Sequence, residues 1–147
     1  MRKLKAAVIG VGGISNEHIN GYIKNENVDL YAFCDINEKQ LKFMSEKYNV
    51  PAERCFTDKD EMLKALPEID IVSVCTWNSA HAECTIAALN AGKDVICEKP
   101  MAMNTTEAEA MLEAAKKNGR HLQIGFVRRY GNDADVMRDF IDAGKFG

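Results

Sequence analysis

Two closely spaced glycines follow the first apolar run, in the segment Gly10-Val11-Gly12-Gly13-Ile14-Ser15 directly after Lys5–Ile9. Glycine at the first position permits a tight turn. At the second it lets the backbone approach a ligand with no side chain in between. A helix that begins just beyond offers free N–H groups and a partial positive charge, which suits phosphate. The spacing therefore points to a dinucleotide pyrophosphate held by Gly10, Gly12, Gly13 and Ile14. The third glycine of the usual fingerprint is replaced by Ser15, still small enough for close helix–strand packing. Asp35 stands about 20 residues further on, after the run Val28–Cys34, where a carboxylate can accept hydrogen bonds from ribose hydroxyls and repel a 2′-phosphate. That favours NAD, although Lys39 and Lys42 nearby keep NADP open. Asp35 has an alternative use as the cap of the helix that follows it.

Later apolar runs also end in polar residues. Ile69–Cys75 is followed by Thr76-Trp77-Asn78-Ser79-Ala80-His81, Asp94–Cys97 by Glu98-Lys99-Pro100, and Leu122–Phe126 is soon followed by Arg128-Arg129-Tyr130. If these runs are parallel strands of a doubly wound sheet, all these groups lie outside the carboxyl ends, where such folds bind ligands. Thr76, Asn78, His81, Glu98 and Lys99 then face the place where a nicotinamide would lie. A lysine partly desolvated beside a carbonyl can polarise it and relay a proton, and Lys99 is of the right type for that chemistry. The alternative is a solvated lysine before a turn proline. A cis peptide is expected between residues 99 and 100. His81 is read either as a ribose contact or as a satisfied histidine at a helix start. Trp77 is read either as a neighbour of the nicotinamide or as core. His18 is expected on a helix surface near the phosphates, His121 as structural, and Met101, Met103 and Met111 as packing residues.

Placing these groups requires strands and helices in alternation. Apolar periodicity and turn residues predict strands at Lys5–Ile9, Val28–Cys34, Arg54–Phe56, Ile69–Cys75, Asp94–Cys97 and Leu122–Phe126. Helices are expected over Asn16–Lys24, capped by Ser15 or Asn16, and over Glu38–Tyr48. Others are expected over Lys59–Leu66 after a Thr57 or Asp58 cap, Ala80–Asn90 closed by Gly92, Thr105–Asn118 between Asn104 or Thr105 and Gly119, and Asp133–Ala143. The implied class is α/β: a Rossmann-like, doubly wound parallel sheet of about six strands with helices on both faces.

The 147 residues suggest one domain, with 46% apolar and 28% charged residues and a net charge of −3. That weak acidity argues against nucleic acid or an anionic membrane as the partner. The basic N-terminus precedes only Ala6-Ala7-Val8-Ile9 before glycines, too short for a secretory h-region. The five cysteines contain no C-x-x-C pair, and Cys34, Cys75 and Cys97 fall in apolar strands. They are expected to be reduced and buried in a cytoplasmic protein, and no metal site is expected.

Asn78-x-x-His81, Ala87-Ala88-Leu89-x-Ala91-Gly92-Lys93-x-Val95, Glu98-Lys99-Pro100 and Gly125-Phe126-x-Arg128-Arg129-Tyr130 together resemble the Gfo/Idh/MocA family over essentially the whole chain. The resemblance implies an NAD(P)-dependent dehydrogenase acting on a sugar, cyclitol or related polyol. It implies that Lys99 lies beside nicotinamide and substrate, that Glu98 lies near the cofactor, and that Arg128 and Arg129 are candidates to face substrate. Gly131 stands where the inositol dehydrogenase subgroup tends to carry an acid. The resemblance also implies a cofactor domain at 1–130 and, at 131–147, a connecting helix and the start of a substrate domain that the chain lacks. The chain alone is then expected to bind dinucleotide without turnover, and the full-length protein to form a homo-oligomer. Two other functions remain open: a non-catalytic dinucleotide-binding or redox-sensing module, and an NAD-dependent glycosidase of the same family.

Overall fold

The computed structural model describes residues 2–145; the last two residues of the 131–147 segment lie outside it. Among the described residues one parallel sheet contains β1 (Leu4–Ile9), β2 (Val28–Cys34), β3 (Cys55–Phe56), β4 (Ile71–Val74), β5 (Asp94–Cys97) and β6 (Leu122–Ile124). Their order across the sheet is β3-β2-β1-β4-β5-β6. The chain moves outward from β1 to β3, crosses back beside β1 as β4, and continues to the other edge. The helices are α1 (Ser15–Lys24), α2 (Glu38–Tyr48), α3 (Lys59–Ala65), α4 (His81–Asn90), α5 (Thr105–Asn118) and α6 (Asn132–Asp142). This is the expected doubly wound α/β sheet, with the switch of winding direction between β1 and β4.

Alternation along the strands divides the core into two layers. Ala6 and Val8 of β1 join Phe33 with Ile19 and Tyr22 of α1 and Leu41 and Met44 of α2. Ala7 and Ile9 join Val72, Val74 and Cys97 under α3, α4 and α5, where Met111 is fully buried. The inner strands are therefore covered on both faces, which is why β1 and β4 read as nearly continuous apolar runs, interrupted only by Lys5 and the buried Ser73.

Helix limits follow local chemistry. Asn37 accepts hydrogen bonds from the amides of Lys39 and Gln40, so it caps α2, and Asp35 is not the cap. Asp58 caps α3 and Asn104 caps α5 in the same way. Gly119, at φ +59°, ends α5 in the left-handed conformation that glycine adopts freely. The helix α6 differs from the others. None of its residues is buried, and it packs against a 3-10 turn at Val127–Tyr130. Val136, Met137 and Ile141 of α6 are exposed. Of the three methionines expected in packing, Met111 is buried and Met101 lies against the core, but Met103 is exposed. No described helix is long and apolar enough to cross a membrane.

All five cysteines are free, and all but Cys55 are buried. Burial pushes the thiols of Cys34 and Cys75 up to about 12 and those of Cys84 and Cys97 to about 11. The unfolded thiols ionise near pH 9 while the folded ones keep their protons. What the protonated thiols contribute to stability is therefore fully present below pH 9 and is lost as pH rises from there toward 12. Urea unfolding midpoints are expected to fall steadily across that interval. At neutral pH, mass spectrometry after brief alkylation should find Cys55 modified first. Prior modification of Cys34 or Cys75 in folded protein would contradict this account.

Candidate functional site

The parallel register sets the carboxyl ends of β1, β4 and β5 side by side, with Ile9 paired to Val74 and Val74 to Cys97. Gly10, Cys75 and Glu98 therefore follow one another along a single edge. At Gly10 the chain turns with φ +85°, and a Cβ there would lie 2.7 Å from the Thr76 amide nitrogen. Glycine is required at this point on both counts. A Cβ on Gly12 or Gly13 would meet nothing within 4 Å. Packing does not demand glycine at those two positions; what their missing side chains leave clear is the outer face of the loop.

The loop is held from beneath. The Val11 amide donates to Asp35 Oδ2 at 2.8 Å, and Gln40 Nε2 donates to the Val11 carbonyl at 2.8 Å. The other Asp35 oxygen accepts from the Asn37 amide at 2.8 Å. Neither Ser15 nor Asn16 caps α1. Ser15 Oγ donates to the Gly12 carbonyl at 2.6 Å, and Asn16 Nδ2 donates to the Gly13 carbonyl at 2.9 Å. Both side chains bind loop carbonyls and none caps the helix, so the amides of Gly12, Gly13 and Ile14 have no hydrogen-bond partner among the described residues. Bare amides at the start of a ten-residue helix, below a surface cleared of side chains, fit a pyrophosphate.

A cleft of about 520 Å³ opens above this loop, bounded by Gly12, Ile14, Asp35, Thr76 and Trp77. Its far wall adds residues that sequence reading missed, including Ile36, Thr57 and Lys59. Lys59 Nζ lies 2.6 Å from Glu83 Oε1 and 3.0 Å from Asp60 Oδ2, and the bond to Glu83 raises its pKa above the usual lysine range. Their positions in the segments after β2 and β3 offered little signal, because the contacts come from the third dimension.

Trp77 is 84% exposed, which excludes the core alternative and leaves it on the cleft rim. Thr76 is half-buried, and Asn78 lies in an exposed 3-10 turn. His81 is fully buried: Nδ1 lies 2.7 Å from the Pro100 carbonyl and Nε2 3.2 Å from the Thr76 carbonyl. The ring thus ties the segments after β4 and β5 together at the start of its helix. Lys99 is exposed on the carboxyl edge, and its peptide with Pro100 is cis. Arg128 and Arg129 are exposed in the 3-10 turn after β6, and Arg128 lies 3.6 Å from Asp133. The ring of His121 is exposed, with only its backbone tied into the sheet.

His18 does not occupy the expected helix surface. Its side chain is 13% exposed, with Nδ1 2.9 Å from Ser73 Oγ and Nε2 3.1 Å from Glu98 Oε1. Tyr22, one turn later, places its hydroxyl 2.6 Å from the same Ser73 oxygen. The four-residue spacing of His18 and Tyr22 puts both on one helix face. That spacing was the available signal, but their partners lie far along the chain.

A glycine turn at the switch point, an open helix N-terminus and a carboxylate at the end of the second strand define a dinucleotide-binding α/β domain. The chain belongs to the Gfo/Idh/MocA family: that family's model, an oxidoreductase family with an NAD-binding Rossmann fold, matches residues 4–126. It is 34% identical over 146 residues to inositol 2-dehydrogenase of Salmonella typhimurium, covering 98% of this chain and 43% of that protein. It is 35% identical over 145 residues to D-glucoside 3-dehydrogenase of Escherichia coli, covering 98% and 40% respectively. Among solved structures it resembles scyllo-inositol dehydrogenase from Lactobacillus casei with bound NAD(H) and scyllo-inositol. That match has a TM-score of 0.87 and 25% identity, and covers 99% of this chain and 43% of the other. The chain thus spans less than half the length of these relatives.

The two kinds of glycine should separate on substitution. Gly10→Ala forces a side chain into the Cys75–Thr76 backbone at positive φ and should destabilise the fold by roughly 2 kcal/mol or more. Gly12→Ala should change stability by less than about 0.5 kcal/mol. Urea denaturation of both variants checks this, and equal losses would refute the assignment.

Proposed function

We propose that this chain is the cofactor-binding part of an NAD-dependent dehydrogenase that moves hydride between a nicotinamide and a sugar, cyclitol or related polyol. The observation that carries the reading is the uncapped start of α1, with its bare amides above a loop pinned by Asp35. Family membership and the names of the relatives, which include inositol and glucoside dehydrogenases, support the substrate class.

In this reading Gly10, Gly12, Gly13 and Ile14 bind the pyrophosphate through backbone N–H groups and the helix dipole. Asp35 accepts from the adenosine ribose hydroxyls with lone pairs that Val11 and Asn37 leave over, and its charge disfavours NADP. Thr76 and Asn78 line the path toward the nicotinamide, and His81 fixes that path from behind. The nicotinamide supplies or accepts the hydride when bound. Lys99, exposed beside the carboxyl edge, would give its ammonium proton to the carbonyl oxygen when hydride is delivered to the substrate and, as the neutral amine, take the carbinol proton in the reverse direction, while Glu98 sets the backbone beneath it. Arg128 and Arg129, carried on the turn after β6, contribute to substrate orientation.

The same proposal puts the cofactor domain at residues 1–130 and assigns 131–147 to a connection, which the exposed α6 supports. Homo-oligomerisation of the full-length protein rests on family membership, and a cytoplasmic location on the five unpaired cysteines.

Fluorescence titration of the 147-residue chain with NADH tests the reading. Saturable enhancement is expected, with NADPH bound at least about tenfold more weakly. Gly12→Ala should weaken NADH about tenfold or more while leaving unfolding unchanged, because a methyl group intrudes between backbone and phosphate. Incubation with NAD and myo-inositol should yield no reduced nicotinamide from this chain alone. Absence of any dinucleotide binding at millimolar concentration would refute the proposal.

A further inference from the structure

A continuous chain of polar side chains lies buried between α1 and the strands β4 and β5. Ser73 is fully buried, and the side chains of His18 and Glu98 are 13% and 8% exposed. Glu98 carries on the alternation of β5 past Cys97, which places its carboxylate on the α1 side of the sheet. One oxygen, Oε1, lies 3.1 Å from His18 Nε2, and the other, Oε2, accepts from the Lys99 amide at 3.1 Å. Gly125 completes the seat, because a Cβ there would stand 3.0 Å from Glu98 Oε1.

With a neutral imidazole, one proton arrangement satisfies every member. A carboxylate only accepts, so His18 Nε2–H donates to Glu98. Nδ1 then accepts from the Ser73 hydroxyl, and Ser73 accepts from the Tyr22 hydroxyl. The donors run in one direction, from Tyr22 to the carboxylate, and the line ends on the backbone of Lys99. A carboxylate shielded from water needs such donors, and losing one leaves a buried charge short of a partner.

We propose that His18 is a positioning residue: it fixes the Glu98 carboxylate and, through it, the backbone of Lys99 at the nicotinamide end of the site. This uses the same helix that offers its N-terminus to the phosphates, so one element sets the two ends of the cofactor. The role of Lys99 rests on the proposed dehydrogenase reading, whereas the His18–Glu98–Lys99 linkage can be read without any cofactor.

The test uses the 147-residue chain, its His18→Leu and His18→Gln variants, and two ligands, NADH and ADP-ribose, the second lacking the nicotinamide. His18→Leu should weaken NADH about tenfold and leave ADP-ribose within about threefold, as expected for loss of one charge-assisted hydrogen bond at one end of the site. His18→Gln, which can still donate to Glu98 and accept from Ser73, should restore most of the NADH affinity. In nitrogen-15 NMR the wild-type ring should be the Nε2–H tautomer, and the Lys99 amide resonance should move in His18→Leu. Parallel loss of both ligands would reduce His18 to support of the phosphate helix and overturn the proposal. So would an Nδ1–H tautomer or an unmoved Lys99 amide. If wild-type protein binds neither ligand, the dehydrogenase reading falls, and the tautomer and the Lys99 resonance still decide the linkage. If His18→Leu does not fold, His18→Gln and the wild-type tautomer decide it.

Discussion

Contact between the Gly10 turn and the backbone at Cys75–Thr76 governs the architecture of the site. β1 sits between β2 and β4, and the helices after β1 and β2 cover one face while those after β4 and β5 cover the other. A crevice must therefore open where β1 and β4 end. Gly10 lets the chain leave β1 close against β4 and still rise so that α1 starts at the mouth of that crevice. A side chain at this position would push the two strand ends apart. The rest of the loop depends on that turn. Val11 is gripped at its amide by Asp35 and at its carbonyl by Gln40, while Ser15 and Asn16 take the carbonyls of Gly12 and Gly13. A loop already fixed in this way loses little further freedom when a ligand settles on it, so more of the contact energy remains as affinity.

The other end of the edge is held by different means. After β5 there is no glycine turn to direct the chain, and the direction comes from side chains. Glu98 binds its own neighbour's amide and is held by His18, while His81 ties the Pro100 carbonyl to the segment after β4. These polar groups lie where water is largely excluded, so each bond is stronger and each missing bond more costly than at the surface. The phosphate end is thus shaped by backbone conformation, and the opposite end by side-chain chemistry.

This difference explains what could be read from the chain. Elements with local signals were legible to the residue: α2 ends where Tyr48 gives way to Asn49, and α5 runs from its Asn104 cap to Gly119. Strand ends were less well placed. Ile69–Cys75 shortens to β4 at Ile71–Val74, although Asp70 and Cys75 still donate to β1 carbonyls, so the pairing continues past the strand's formal limits. The last strand stops at Ile124 because the Phe126 amide folds back onto the Ile124 carbonyl and turns the chain away. The glycine loop and Asp35 were legible because their spacing is set by backbone geometry. His18 was not, because its partners Ser73 and Glu98 lie 55 and 80 residues away. Trp77 stayed open between cleft and interior for a related reason: its size suits either place, and only the turn that carries it puts it on the cleft.

The exposure of α6 has a consequence for how opening free energy is distributed along the chain. Eleven residues with nothing buried fall near or below the length at which a helix holds together in water without support. The central strands, by contrast, are covered on both faces and give up their amides only when most of the domain opens. Deuterium uptake should therefore form a steep gradient, nearly complete in α6 and at the bare amides of Gly12, Gly13 and Ile14 while β1 and β4 remain protected.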